Sequence, residues 1–140
     1  MSPKNSSKSG KSAKQRGDCG EALTARYLEA CGYQILDRQW RCAFGELDLV
    51  ARDTDGVICF VEVKFRKNFS HGLPREFVDA RKQEKLRRAA MLWLSEYNQD
   101  VYTRFDVAEV YEVSVTAGEN RETPRNQYKY QIKYLKDAFQ

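Results

Sequence analysis

Residues 45–66 read GELDLVARDTDGVICFVEVKFR, two runs rich in β-branched and aromatic residues on either side of a DTDG turn. Each run carries charge among its apolar residues: Asp48 in the first, Glu62 and Lys64 in the second. Side chains alternate along a strand, so Glu62 and Lys64 share a face with Ile58 and Phe60, while Asp48 shares one with Glu46 and Val50. If Thr54, Asp55 and Gly56 form a three-residue loop with Gly56 left-handed, Asp53 pairs with Val57, Asp48 falls opposite Glu62, and Glu46 opposite Lys64. A two-residue Asp55-Gly56 turn would send Asp48 and Glu62 to opposite faces.

In the first register the two carboxylates lie ~5 Å apart, where like charges destabilise a sheet. Such a pair needs a raised pKa, a cationic neighbour or a divalent metal. Lys64 offers one positive charge. Magnesium offers two, and closely spaced hard oxygen ligands suit it. Singly, each charge is what a solvated strand face would carry; Asp, turn and Glu-x-Lys together inside apolar strands point to a site.

The elements that position these residues follow from periodicity. DCGEALTARYLEACGY, from Asp18, places apolar residues at helical spacing and stops at Gly32. Three short strand-like runs come next, YQILDRQW, ELDLVAR and VICFVEVKF, as in a meander. The stretch 71–77 reads as a loop. DARKQEKLRRAAMLWLSEYN is a second helix, with Asp79 as N-cap and Leu86, Ala89, Ala90, Trp93 and Tyr97 on one stripe. TRFDVAEVYEV and YKYQIKYL are two more strands, on either side of a polar loop at 114–127. The expected order is helix, three strands, helix, two strands, an α/β fold with no internal repeat.

The 140 residues suit one domain. Residues 1–16 hold five basic residues and no acid, so the formal charge of +4 becomes −1 once they are set aside. This Ser/Lys-rich segment has almost nothing apolar to bury and reads as a disordered basic tail, with residues 17–140 as the domain. No apolar run approaches the ~20 residues needed to span a bilayer, so no membrane association and a cytoplasmic location are expected. Cys19, Cys31, Cys42 and Cys59 lack paired spacing, and His71 is the only histidine; buried reduced thiols are expected rather than zinc or disulfides.

An Asp on one strand and Glu-x-Lys on the next, within this element order, resembles the restriction-endonuclease-like PD-(D/E)xK nuclease superfamily. GEALTARYLEACGYQILDRQWR, GELDLVARD, FVEVKFR, KQEKLRRAAMLWL, RFDVAEV and the closing DAF look like the uncharacterised YraN family of bacterial proteins, over Gly17 to Phe139. The resemblance implies a restriction-endonuclease-like core, a mixed central sheet flanked by helices. It also implies a Mg2+- or Mn2+-dependent endonuclease acting on DNA, and likeness to Holliday junction resolvases extends that to branched or recombination intermediates. Carried over, Asp48 and Glu62 are metal-binding acids, Lys64 is the catalytic lysine, the Val63 carbonyl completes the metal shell, and Glu21 is the further acid that resolvases place on the first helix. Leu47 stands where the motif's name expects proline. Most resolvases are dimers, and the resemblance extends to a homodimer here.

Two of these residues have competing roles. Asp18-x-x-Glu21 also fits a capping box, which would leave Glu21 no chemistry. Glu46, opposite Lys64, either holds that ammonium for catalysis or forms a plain cross-strand ion pair. From Lys64 to Arg88 nine basic residues face three acids, and Arg66, Lys67, Lys82, Gln83 and Lys85 are the candidate nucleic-acid contacts, a solvated helix face being the alternative. A non-catalytic nucleic-acid-binding module on the same fold is the competing function, and a tyrosine-rich adaptor surface on the last strand a weaker one.

Overall fold

The computed structural model describes residues 13–66, 78–115 and 127–140. Helix α1 spans Ala13–Ala30, strands β1, β2 and β3 span Gln34–Cys42, Gly45–Arg52 and Ile58–Arg66, helix α2 spans Ala80–Tyr97, and β4 and β5 span Thr103–Val115 and Gln127–Phe139. This is the order read from periodicity. The five strands form one sheet in the order β1-β2-β3-β4-β5. β3 and β4 run parallel and the other neighbours antiparallel, so the sheet is mixed.

The helices cover opposite faces. Leu86, Ala89, Ala90 and Trp93 of α2 pack on Val50, Ile58, Phe60 and Val107. Ala25 and Leu28 of α1 pack on Leu49, Ala51, Cys59, Val61 and Ala108. Asp79 caps α2 by accepting from the Lys82 N–H at 2.8 Å, and Asn98 ends it in the left-handed conformation at φ 53°.

Several boundaries differ from expectation. α1 begins at Ala13, so residues 13–16, assigned to the basic tail, are helical; residues 1–12 lie outside the described residues, as do the loop at 71–77 and most of 114–127. β5 continues to Phe139, past the YKYQIKYL run, across an irregularity in its pairing with β4 between Phe105 and Val107. Aromatic and apolar content alone did not extend the strand through Lys136-Asp137. Of the cysteines only Cys59 is buried; Cys31 is exposed at the end of α1, and no disulfide joins any of the four. Among the described residues no helix is long and apolar enough to cross a membrane.

Candidate metal centre and its cleft

The β2–β3 turn sets the register. The Asp53 N–H donates to the Val57 carbonyl at 3.0 Å, and Gly56 sits at φ +87°. Leu49 pairs with Val61 and Arg52 with Ile58, the register of the three-residue loop. The backbone pairing stops at Leu49–Val61. Beyond it the Val63 N–H donates to the Asp48 Oδ2 at 2.9 Å, so a side chain replaces the ladder and the strands diverge.

Asp48 stands where β2 changes phase. Val50 and Leu47, three residues apart, both pack on the α2 side, whereas strict alternation would separate them. β1 slips with it: Gln39, between the Arg38–Leu49 and Trp40–Leu47 pairs, is left-handed at φ 48°. Because both strands slip together, the register between them survives. Asp48 can therefore reach towards α1 while Leu47 seals the α2 side.

The Gln39 side chain uses this position. Its Nε2 donates to Glu21 Oε2 at 2.7 Å and to Asp18 Oδ1 at 2.8 Å. Glu21 is brought close by Gly20, where an added Cβ would meet Phe65 at 3.2 Å and Val63 at 3.3 Å; glycine lets α1 lie against β3. With α1 starting at Ala13, Asp18 is interior to the helix, and the capping-box role for Glu21 falls away.

Ligand atoms of Glu21, Glu46 and Asp48 all lie within 4.8 Å of one another. Burial, then the charge of Glu62, pushes the Asp48 carboxyl up to about 8, against the Val63 N–H and with Glu21 adding to the rise. Burial also raises Glu21; the Gln39 hydrogen bond opposes it, and Glu46 and Asp18 reinforce it. These are acids held together against their repulsion. Oxygen donors so arranged fit a small divalent cation, whose charge would relieve that repulsion.

Glu62 is adjacent to Asp48 but turned to α2. Its Oε1 lies 2.8 Å from Lys82 Nζ, and its side chain is 6% exposed. The Lys82 ammonium is favoured: partial burial works against it, and Glu62, Asp48 and Asp79 outweigh that. Glu21, Asp48 and Glu46 thus converge, and Glu62, paired to Lys82, also meets Asp48 through a side-chain hydrogen bond, so the expected Asp48–Glu62 pair is part of the same acid group. Val63 supplies its N–H to Asp48.

Lys64 follows on the Glu62 face and pairs in register with Glu109 of β4. Glu46 does not hold it: Glu46 Oε2 lies 3.3 Å from Arg41 Nε, since Arg41 is its cross-strand partner on β1. Among the basic candidates, Lys82 and Lys85 border a cleft of about 350 Å³ together with Phe44, Gly45, Glu46, Asp48 and Leu86. Gln83 is not directed there; its amide donates to the Val78 carbonyl at 2.8 Å and accepts from Arg87 at 3.0 Å. Arg66 lies 3.2 Å from the buried Glu109, a partner inside the fold. Lys67 is outside the described residues. Gln39 and the convergence of Glu46 escaped the sequence reading, because the phase slip that creates both leaves no mark on residue types.

The fold and site define an α/β protein with a five-stranded mixed sheet, a cleft lined by Glu46 and Asp48 of β2 and by lysines of α2, and Glu21 of α1 beside those acids. The chain belongs to the uncharacterised protein family UPF0102, whose model matches residues 20–110. That agrees with the YraN resemblance. A UPF0102 protein of Clostridium botulinum is 36% identical over 129 residues, 91% of this chain and 95% of the relative. One of Trichlorobacter lovleyi is 43% identical over 102 residues, 72% and 80% of the two chains. Another, of Nocardia farcinica, is 46% identical over 97 residues, 67% and 74%. The solved "Structure of EndoMS-dsDNA2 complex" overlaps 71% of this chain and 39% of its own at 16% identity with a TM-score of 0.41, a likeness that carries no further weight.

Proposed function

We propose that this protein is a divalent-metal-dependent nuclease that hydrolyses phosphodiester bonds in DNA, with branched or recombination intermediates as the substrate class. The observation that carries this reading is the convergence of Glu21, Glu46 and Asp48 beside Glu62, with Asp48 raised by its neighbours. Glu21, Glu46 and Asp48 would hold Mg2+ or Mn2+, and Glu62 would join them when Lys82 releases it. The bound metal supplies Lewis-acid polarisation of the phosphate and activation of the attacking water.

The chain's own groups have the remaining tasks. Lys82 and Lys85 line the cleft and can pair with the non-bridging phosphate oxygens. Lys64, on the Glu62 face of β3, neutralises charge developing on the phosphate or orients the attacking water. Gln39 fixes the Glu21 carboxylate. The homodimer expected from the resolvase resemblance would let two such clefts act on two strands.

The Lys82–Glu62 pair also favours a second reading, a module that binds nucleic acid without cutting it, because a tied Glu62 leaves the acid set incomplete. Calorimetric titration of Mn2+ separates the two. The nuclease reading expects a binding isotherm in the wild type that is lost in Asp48→Asn and weakened in Glu46→Gln, with all three folded by circular dichroism. Indistinguishable traces for the three proteins, repeated with DNA present to complete the metal shell, would overturn it.

A further inference from the structure

A hairpin tip is a place for Gly, Asn, Asp, Ser or Pro, whose local geometry suits a turn. The β1–β2 hairpin closes with Cys42 paired to Gly45, leaving Ala43 and Phe44 as its two central residues. No conformational reason calls for phenylalanine there. Apolar packing does not call for it either: among the described residues Phe44 belongs to neither apolar cluster, and it is 37% exposed, with a guanidinium as its ring contact. Of the large apolar side chains exposed on the described surface, Phe44 is the one that borders the acidic cleft.

Its surroundings are cationic on the α2 side. Lys82 and Lys85 line the same cleft, and the Arg88 guanidinium lies 5.7 Å from the Phe44 ring centroid, held by Glu84 at 3.3 Å. An aromatic ring with a guanidinium over it and two lysines lining the same cleft suits a nucleobase attached to phosphates on either side. Base–aromatic stacking needs an unstacked base, because the faces of a base inside a duplex are already covered.

We infer that Phe44 is a stacking platform for an unpaired nucleobase, which places single-stranded or unpaired nucleotides next to the acidic cleft and makes the protein selective for nucleic acid with a locally open structure. The inference rests on the nuclease reading and names its substrate feature. Lys82 and Lys85 grip phosphates in any strand; Phe44 recognises the base that has left the stack.

Binding without metal tests it apart from catalysis. Fluorescence anisotropy in EDTA would compare a labelled single strand, a perfect duplex and the same duplex carrying an unpaired bulge, for wild type, Phe44→Ala and Phe44→Trp. The wild type should prefer the single strand and the bulge over the perfect duplex. Phe44→Ala should weaken binding to those two by about five- to a hundredfold and leave the duplex unchanged, while Phe44→Trp retains the preference. Equal affinity of wild type and Phe44→Ala for the open probes would overturn the inference, and the nuclease reading would stand if Mn2+ binding at Asp48 persisted. A wild type that binds none of the probes in EDTA would also overturn the inference, while the nuclease reading is decided separately by Mn2+ binding at Asp48.

Discussion

Asp48→Asn should make the metal-free protein more stable, although it alters the residue on which the site depends. The Asp48 carboxyl has its folded pKa at about 8 against 3.8 for the free group, because burial and the Glu62 charge penalise ionisation. The stability it contributes is fully present below pH 3.8 and is lost as pH rises through about 8. At pH 7 the unfolded chain carries Asp48 ionised, and folding must return a proton, at a ceiling of ~4 kcal/mol from ~1.4 kcal/mol per pKa unit. Water in the cleft and the Lys82 ammonium screen part of this, so roughly 2 kcal/mol, or ~6 °C in Tm for a domain of this size, is the expected gain. Asparagine keeps an oxygen for the Val63 N–H, so the change removes charge without removing that bond. Thermal unfolding in EDTA from pH 4 to pH 8 should show a Tm difference near zero at the acidic end that widens in favour of the variant. Mn2+ should then raise the wild type and leave the variant unmoved. A variant less stable than wild type at pH 7 in EDTA, or a difference independent of pH, would show that Asp48 is not held protonated by its surroundings.

Lys82→Met leaves the 6%-exposed Glu62 without its ammonium; because Lys82 is itself 48% exposed, the loss in chemical denaturation should be modest, ~1–2 kcal/mol, while calorimetry should show tighter Mn2+ binding at the more negative site. Gln39→Gly separates backbone from side chain. Glycine accepts φ 48° without a Cβ clash, so stability should change by less than ~1 kcal/mol, whereas losing the amide that orients Glu21 should weaken Mn2+ binding about 10- to 100-fold. Arg104 lies 2.7 Å from Asp53 and 3.0 Å from Asp106, which is fully buried, so Arg104→Met should lower the urea midpoint by the equivalent of ~3–5 kcal/mol without changing metal affinity.

The hairpin register was legible because it depends on local chemistry: a glycine able to go left-handed at position 56 and an odd loop length. The α2 stripe was legible for the same reason, with Asp79 and Asn98 marking its ends. Less could be read in β1. Leu36 and Trp40 sit an even number of residues apart and both meet α2, yet an irregularity at 35–37 and the slip at Gln39 intervene and cancel. A cancelled pair of irregularities looks like plain alternation. The partners of charged residues were also hidden, since Lys82 reaches Glu62 and Arg66 reaches Glu109 across elements whose crossing no single strand or helix encodes. Arg104 read as an ordinary strand residue for the same reason: Tyr33, Asp53 and Asp106 come from three separate segments.

If the acids around Asp48 support hydrolysis of a nucleic-acid backbone, cleavage itself should be observable. The most direct measurement follows an end-labelled four-way DNA junction and a labelled single strand on a denaturing gel, in Mn2+ and in EDTA, for wild type, Asp48→Asn and Lys64→Ala. Wild type should give new labelled fragments in Mn2+ only, and neither variant should give any, though both remain folded. Intact substrates under every condition, or fragments formed equally by Asp48→Asn, would contradict it.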